Sequence, residues 1–112
     1  MSRAIVNDYC ASLPGAGVSS PFGPGHDVWK VGAKIFAIMG AVTDGVSVKC
    51  RDVEAAQLLI EMGVGRKAPY MHASWVLLSF NDMPEDELCA RLHASYKIIR
   101  ASLTKKLQAE LG

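Results

Sequence analysis

The strongest pattern in the chain is a concentration of β-branched and aromatic residues between positions 27 and 51. Side chains of these types suit a pleated surface that is buried on at least one side. Polar or glycine-rich breaks divide this stretch into three predicted antiparallel strands, Asp27–Val31, Lys34–Met39 and Val46–Arg51. Only Gly32 and Ala33 separate the first two strands, and the leading glycine predicts a type II′ hairpin turn.

This short turn also predicts the register of the first hairpin. Lys30 faces Ile35, and Trp29 faces Phe36 as a cross-strand aromatic pair. Which side of the hairpin is core stays open, because Trp29, Phe36 and Ile38 on one side compete with Val28, Ile35, Ala37 and Met39 on the other. If helices cover one face only, the apolar surface that remains is an interaction site or is covered by a partner subunit.

Helical periodicity appears on both sides of the predicted strands. Apolar residues recur every four positions from Ser2 to Leu13, and a similar stripe runs from Asp52 to Met62, with Asp52 as the predicted N-cap. A third stripe runs from Leu88 to Leu107 and predicts a long C-terminal helix that begins near Glu85. Helices and strands that are segregated in this way indicate an α+β domain.

Two further segments complete the predicted order of elements. Residues 16–26 are dense in glycine and proline, which predicts a long loop that carries Phe22. The segments Ala68–His72 and Trp75–Phe80 are apolar on both sides and predict a second β-ribbon with its turn near Ala73 and Ser74. The expected order is therefore helix, three-stranded meander, helix, ribbon and long helix.

Composition limits the class of protein. The 112 residues are half hydrophobic with a formal net charge of +1, which is typical of one globular domain over residues 1–112. Apolar runs are too short for a membrane helix, and the first ten residues do not resemble a secretory signal, so we expect a cytoplasmic protein. The three widely spaced cysteines indicate reduced, small buried residues.

The sequence carries no recognisable catalytic or metal-binding motif. His26, His72 and His93 are far apart and lack metal-ligand spacing with each other or with a pair of cysteines. Motifs for hydrolases, metalloproteases and phosphate loops are also missing from the sequence. We therefore expect neither enzyme activity, nor a metal site, nor a cofactor.

Two sets of residues are candidates for binding. Six cations lie on or beside the predicted ribbons, where they would contact DNA phosphates: Lys30, Lys34, Lys49, Arg51, Arg66 and Lys67. Five carboxylates lie in the same part of the chain, so a solvated surface of mixed charge is the alternative interpretation. The second set is a ligand or partner surface made of Phe22, Trp29, Phe36, His72 and Trp75.

Five short motifs in order resemble the MmcQ/YjbR family. They are Pro21-Phe22-Gly23, the run from Val28 to Ala37, the run from Val46 to Cys50, Pro69 to His72 with Trp75, and Ser95-Tyr96. The similarity extends from about Arg3 to Leu107. It implies a CyaY-like, frataxin-type α+β fold with a double-wing arrangement, whose wings correspond here to residues 27–51 and 66–80.

The resemblance also implies a function, because members of this family are described as predicted DNA-binding proteins. The first hypothesis is thus a small cytoplasmic protein that contacts double-stranded DNA through its two wings. The second is a non-catalytic module that binds a protein, a second copy of itself or a small ligand at its aromatic surface. Iron binding is not expected, since the first helix has Asp8 as its only acidic residue.

Overall fold

One antiparallel sheet runs through the molecule, and helices pack against one of its two faces. This computed structural model describes residues 3–41 and 44–111. The strands are β1 (Ala16–Ser19), β2 (Asp27–Val31), β3 (Lys34–Met39), β4 (Gly45–Lys49), β5 (Arg66–Lys67) and β6 (Trp75–Ser79). The helices are α1 (Arg3–Ala11), α2 (Val53–Glu61), α3 (Glu85–Ala101) and α4 (Lys105–Leu111). The strands lie in the order β1-β2-β3-β4-β6-β5, which confirms an α+β fold.

The first hairpin has the predicted strand bounds but a different turn and register. Gly32 and Ala33 both have positive φ, 56° and 70°, so the turn is type I′ and the predicted type II′ turn is wrong. Lys30 faces Ile35 as predicted. Trp29, however, faces Ala37, because a β-bulge between Trp29 and Lys30 shifts the register by one residue. The predicted pairing of Trp29 with Phe36 is therefore wrong.

The bulge also decides which side chains enter the core. Residues from both predicted faces lie together in the main cluster on the helix side, namely Trp29, Phe36, Ala37 and Met39. Phe36 contacts Tyr96 of α3 edge to face, with ring centroids 5.4 Å apart. Val28 and Ile38 pair across the opposite face of the sheet. A strict two-residue alternation could not predict this mixture, since the extra residue of a bulge reverses the alternation.

The predicted second ribbon exists only in part. β6 confirms the predicted second strand to within a residue, but Ala68–His72 is irregular, and the short β5 pairs with β6 in its place. Pro69 lacks the N–H that a strand ladder needs, and Tyr70 has φ +64°, outside the strand region. On its other side β6 pairs with β4, so the two predicted wings are joined in one continuous sheet.

Three other segments differ from the predictions. Part of the predicted loop before Asp27 forms the edge strand β1. The predicted third strand ends at Lys49 instead of Arg51. The C-terminal helix breaks after Ala101, and Thr104 starts α4 by accepting the Leu107 N–H at 3.2 Å. α1 begins the described part of the chain, and the predicted start of this helix at Ser2 lies outside the described residues.

All four helices contribute to the cluster on one side of the sheet. Asp52 caps α2 as predicted, since its Oδ1 accepts the Ala55 N–H at 2.8 Å. No helix in the described part of the chain is long and apolar enough to cross a membrane. In the described part of the chain, the opposite face of the sheet is not covered by helices.

Candidate ligand-binding cleft

The helix-free face of the sheet has a floor built from strand residues that alternate away from the core. Ile38 of β3, Ser47 of β4 and Leu77 of β6 face one another in consecutive strand pairs. Ile35 lies one row away on β3. Successive side chains of a strand point to opposite faces, so these four belong to the face opposite the helices. They form a mainly apolar floor with one hydroxyl.

Two loops extend over this floor and leave a cleft between them. The loop of residues 20–26 contributes Phe22 and His26, and the loop of residues 68–74 contributes Pro69, Tyr70 and Met71. Together with the floor they enclose about 730 Å³, which we call the sheet-face cleft. Pockets of about 300–1,000 Å³ with mostly apolar lining are typical of small-molecule sites.

The two aromatic residues of the walls are unusually exposed. The Phe22 residue is 61% exposed, and Tyr70 is fully exposed. Tyr70 also has φ +64°, a left-handed conformation that is strained for a bulky residue and is often found at binding sites. Exposed aromatic rings beside an apolar floor provide a surface on which another flat apolar group can stack.

The polar groups of the cleft are few. His26 Nδ1 is buried and has no hydrogen-bond partner among the described residues. An unpaired buried polar group of this kind costs about 1–3 kcal/mol. The Ser47 residue is buried in the floor, where it faces Ile38 and Leu77 on the neighbouring strands. Because the Nδ1 atom has almost no accessible surface and Ser47 is only 6% exposed, the surface that the cleft presents is mainly apolar.

The loop of residues 68–74 is fastened to the sheet by a small polar network. Lys49 Nζ donates to Ser74 Oγ at 2.5 Å, and His72 Nδ1 lies 2.9 Å from the same oxygen. The Ser74 N–H also donates to His72 Nδ1 at 3.1 Å. A serine beside a lysine and a histidine resembles a nucleophile with its base, but Ser74 is only 2% exposed. The network therefore holds the loop in place, with Ser74 buried and His72 exposed.

The five residues of the predicted aromatic surface lie in three different places. Phe22 lies in the wall of the sheet-face cleft. Trp29 and Phe36 lie in the core instead, at 4% and 0% exposure, and Trp29 Nε1 donates to Asn7 Oδ1 at 2.8 Å. His72 and Trp75 line a separate cavity of about 510 Å³ beside α2. These five residues therefore do not form one surface.

The six predicted phosphate contacts are also divided between the two faces. Lys34 lies on the helix side, where its Nζ donates to Ser102 Oγ at 3.1 Å. Lys67 faces Val76 of the core and lines the cavity beside α2 together with Glu61. Arg51 lies beyond β4 and forms an ion pair with Asp52 at 3.2 Å. These three cations do not share a face with the others.

The remaining three cations lie on the helix-free face. Lys30 faces Ile35, Lys49 faces Trp75, and Arg66 faces Leu77. Ile35 and Leu77 both line the sheet-face cleft, so Lys30 and Arg66 lie next to it at two different ends. Within the described ranges, no group of three or more potential metal-ligating side chains is present.

Sequence reasoning missed most of the cleft. Ile35 and Ile38 were recognised as apolar but could not be assigned to a face, and His26, Ser47 and Tyr70 were not singled out. One usable signal was Pro69 followed by an aromatic residue inside a predicted strand, which indicates a loop. Another was the glycine- and proline-rich loop around Phe22, because long loops in small domains often carry function.

Comparisons with known proteins agree on the fold. A family model described as YjbR matches residues 11–98. A crystal structure of a Deinococcus radiodurans protein with a domain described as DUF419 is similar to this chain, with a TM-score of 0.87 and 23% sequence identity. The match covers 99% of this chain and 88% of that one. No curated protein matches the sequence.

Proposed function

The chain belongs to the YjbR family, and from this premise we propose that it is a non-catalytic binding module that takes a small apolar molecule into the sheet-face cleft. One observation carries the proposal. Two exposed aromatic residues, Phe22 and Tyr70, stand at the walls of an apolar cleft, and one of them is held in a strained backbone conformation. Strain of this kind persists where the surrounding structure or a function maintains it.

A fluorescent neutral probe, phenylnaphthylamine, tests this proposal. Its emission rises when it enters an apolar site, so a titration should give a saturable increase with the unmodified chain. The double variant Phe22→Ala with Tyr70→Ala removes both walls without touching the core, and the dissociation constant should rise by about fivefold or more. Leu58→Ala is the control, because Leu58 is a large apolar residue of α2 that is also mostly exposed and lies outside the cleft.

The proposal fails if the wall variant binds the probe as tightly as the unmodified chain. It also fails if Leu58→Ala weakens binding to the same extent, since the probe would then be reporting exposed apolar surface in general. Circular dichroism spectra of all three proteins confirm that the comparison is made between folded chains.

Binding to double-stranded DNA is the second candidate function. It is favoured by Lys30, Lys49 and Arg66, which share the helix-free face, and by the lack of a carboxylate among the described residues that line its cleft. The cations at Lys34, Arg51 and Lys67 do not strengthen it, because they are on the helix side or paired with an acid. Contacts of this kind would be sensitive to salt.

Fluorescence anisotropy of a labelled duplex at low salt distinguishes the two functions. If DNA binds on the helix-free face, Lys30→Gln with Arg66→Gln should weaken binding severalfold, whereas Lys34→Gln with Lys67→Gln should not. No change in anisotropy up to about 100 µM protein would exclude even non-specific binding of ordinary strength. We also propose a cytoplasmic location, which the free state of Cys10, Cys50 and Cys89 supports.

A further inference from the structure

Two cations lie next to the sheet-face cleft. Neither carboxylates nor cations occur among its described lining residues. Lys30 lies directly across from Ile35, and Arg66 lies directly across from Leu77, so each cation adjoins a residue of the floor. Side chains of directly opposed residues have Cβ atoms about 5 Å apart, which brings long cationic side chains within reach of a molecule on the floor.

Lys30 and Arg66 are also unpaired among the described residues, as is Lys67, which lines the separate cavity beside α2. Lys34 donates to Ser102, Lys49 donates to Ser74, and Arg51 pairs with Asp52. By contrast, the described part of the chain shows no hydrogen bond or ion pair for the side chains of Lys30 and Arg66. Their positive charge is therefore available to a ligand.

From the aromatic walls and these two neighbouring cations we infer that the molecule bound in the cleft is a small aromatic anion, with its ring between Phe22 and Tyr70 and its carboxylate or similar group drawn towards Lys30 or Arg66. The aromatic walls select a flat ring, and the two unpaired cations select negative charge. This inference rests on the proposed binding function, and it adds the chemical class of the ligand.

Two probes of nearly the same shape test it. Anilinonaphthalene sulfonate is an anion, and phenylnaphthylamine is its neutral counterpart. Lys30→Met and Arg66→Met keep much of the apolar stem of each side chain but remove its charge. Each should raise the dissociation constant of the anionic probe about threefold, and the pair about tenfold, with little change for the neutral probe. Lys34→Met, on the helix side, is the matched control and should affect neither probe.

Salt provides an independent readout. Raising sodium chloride from about 50 mM to about 500 mM should weaken binding of the anionic probe to the unmodified chain, and the double methionine variant should show a smaller effect. Affinity for the neutral probe should hardly change. The inference is overturned if both probes respond equally to the methionine variants, or if Lys34→Met weakens the anionic probe as much.

The outcome also separates this inference from the proposed function. If Phe22→Ala with Tyr70→Ala weakens the binding of both probes but the methionine variants weaken the binding of neither, the cleft binds apolar molecules without selecting charge. If the wall variant binds both probes as tightly as the unmodified chain, the cleft is not a binding site, and both proposals are wrong.

Discussion

The side-chain hydroxyl of Ser95 on α3 donates a 2.6 Å hydrogen bond to the backbone carbonyl oxygen of Phe36 on β3. The same hydroxyl oxygen accepts the backbone N–H of Lys49 on β4 at 2.9 Å. The described register pairs β3 directly with β4 at two positions only. Ser95 therefore joins the two strands beside the bulge, where they no longer bond to each other.

Ser95→Ala should lower the free energy of unfolding by about 2–3 kcal/mol, because it leaves a buried carbonyl and a partly buried N–H without a partner. Urea denaturation followed by circular dichroism measures this loss. Ser12→Ala is the control, since among the described residues the Ser12 hydroxyl bonds only to the Tyr9 carbonyl, in an exposed position, and a change below about 0.5 kcal/mol is expected. Similar losses in the two variants would contradict the bridging role.

The two residues of the hairpin turn should respond to substitution in opposite directions. A Cβ added at Gly32 would lie 2.5 Å from Cδ1 of Leu103, in a left-handed backbone, so Gly32→Ala should destabilise the chain by about 2 kcal/mol. Ala33→Gly should stabilise it by about 0.5 kcal/mol, because glycine accepts the positive φ of a type I′ turn. Thermal unfolding of the two variants measures both effects, and a loss of stability in Ala33→Gly would contradict the turn assignment.

Tyr70→Gly should increase stability and reduce binding at the same time. Glycine relieves the strain at φ +64°, with a net gain of about 0.5 kcal/mol after its greater chain entropy is considered. Loss of the aromatic wall should raise the dissociation constant of phenylnaphthylamine severalfold. Thermal unfolding and a probe titration measure the two effects. Ala33→Gly relieves similar strain away from the cleft and should leave probe binding unchanged; if Tyr70→Gly binds normally, Tyr70 is not a wall.

The cysteines should differ in their reactivity. Burial raises the pKa of the Cys10 thiol to about 12, with a further contribution from Cys89. Burial also raises the pKa of Cys89, but Cys89 is partly exposed. At about pH 8, iodoacetamide should therefore label Cys89 slowly and Cys10 only after unfolding, as mass spectrometry of digested samples would show. Rapid labelling of Cys10 in the folded chain would contradict its burial.

The same shift predicts the effect of alkaline pH on stability. Cys10 stays protonated in the folded chain while the unfolded thiol ionises near its ordinary pKa of 9, so stability is full below that pH and falls as pH rises towards 12. The variant Cys10→Ala should lose less of its stability over this range. Denaturation midpoints at a series of pH values provide the comparison.

Asp52 should make the capping of α2 sensitive to acid. The Ala55 N–H, followed by Arg51, lowers the pKa of the Asp52 carboxyl below 3.8. Its stabilising effect is therefore complete above that pH and disappears as pH falls through the lower folded value. Asp52→Ala should melt earlier than the unmodified chain at neutral pH, and this difference should shrink in acid. Asp52→Asn, which can still accept the hydrogen bond, should melt near the unmodified chain at neutral pH.

Local signals in the sequence were sufficient for several elements. The bounds of β2 and β3 were predicted correctly, because β-branched residues end there at a two-residue turn. The start of α2 was predicted from Asp52, whose side chain needs only the next three residues to form its hydrogen bond. Each of these features depends on residues that are neighbours along the chain.

The bulge at Trp29 and Lys30 could not be predicted from residues that are neighbours along the chain. It depends on Phe36 packing against Tyr96 and on Ser95 satisfying the Phe36 carbonyl, and both partners lie about sixty residues away. Because the bulge shifts the register, Phe36 and Ala37 both point to the helix side, and Trp29 does not pair with Phe36. The faces of the hairpin were thus decided by contacts with α3.

The amino-acid sequence by itself determined the α+β class, most helices and strands, and the membership of its family. Only the tertiary structure decided which cations and aromatic residues share a surface. Lys30 and Lys34 are four residues apart, yet they lie on opposite faces, while Phe22 and Tyr70 are far apart in sequence and line the same cleft. The reason is physical: local structure follows from neighbouring residues, whereas a binding surface depends on strand pairing and on which face of the sheet the helices cover.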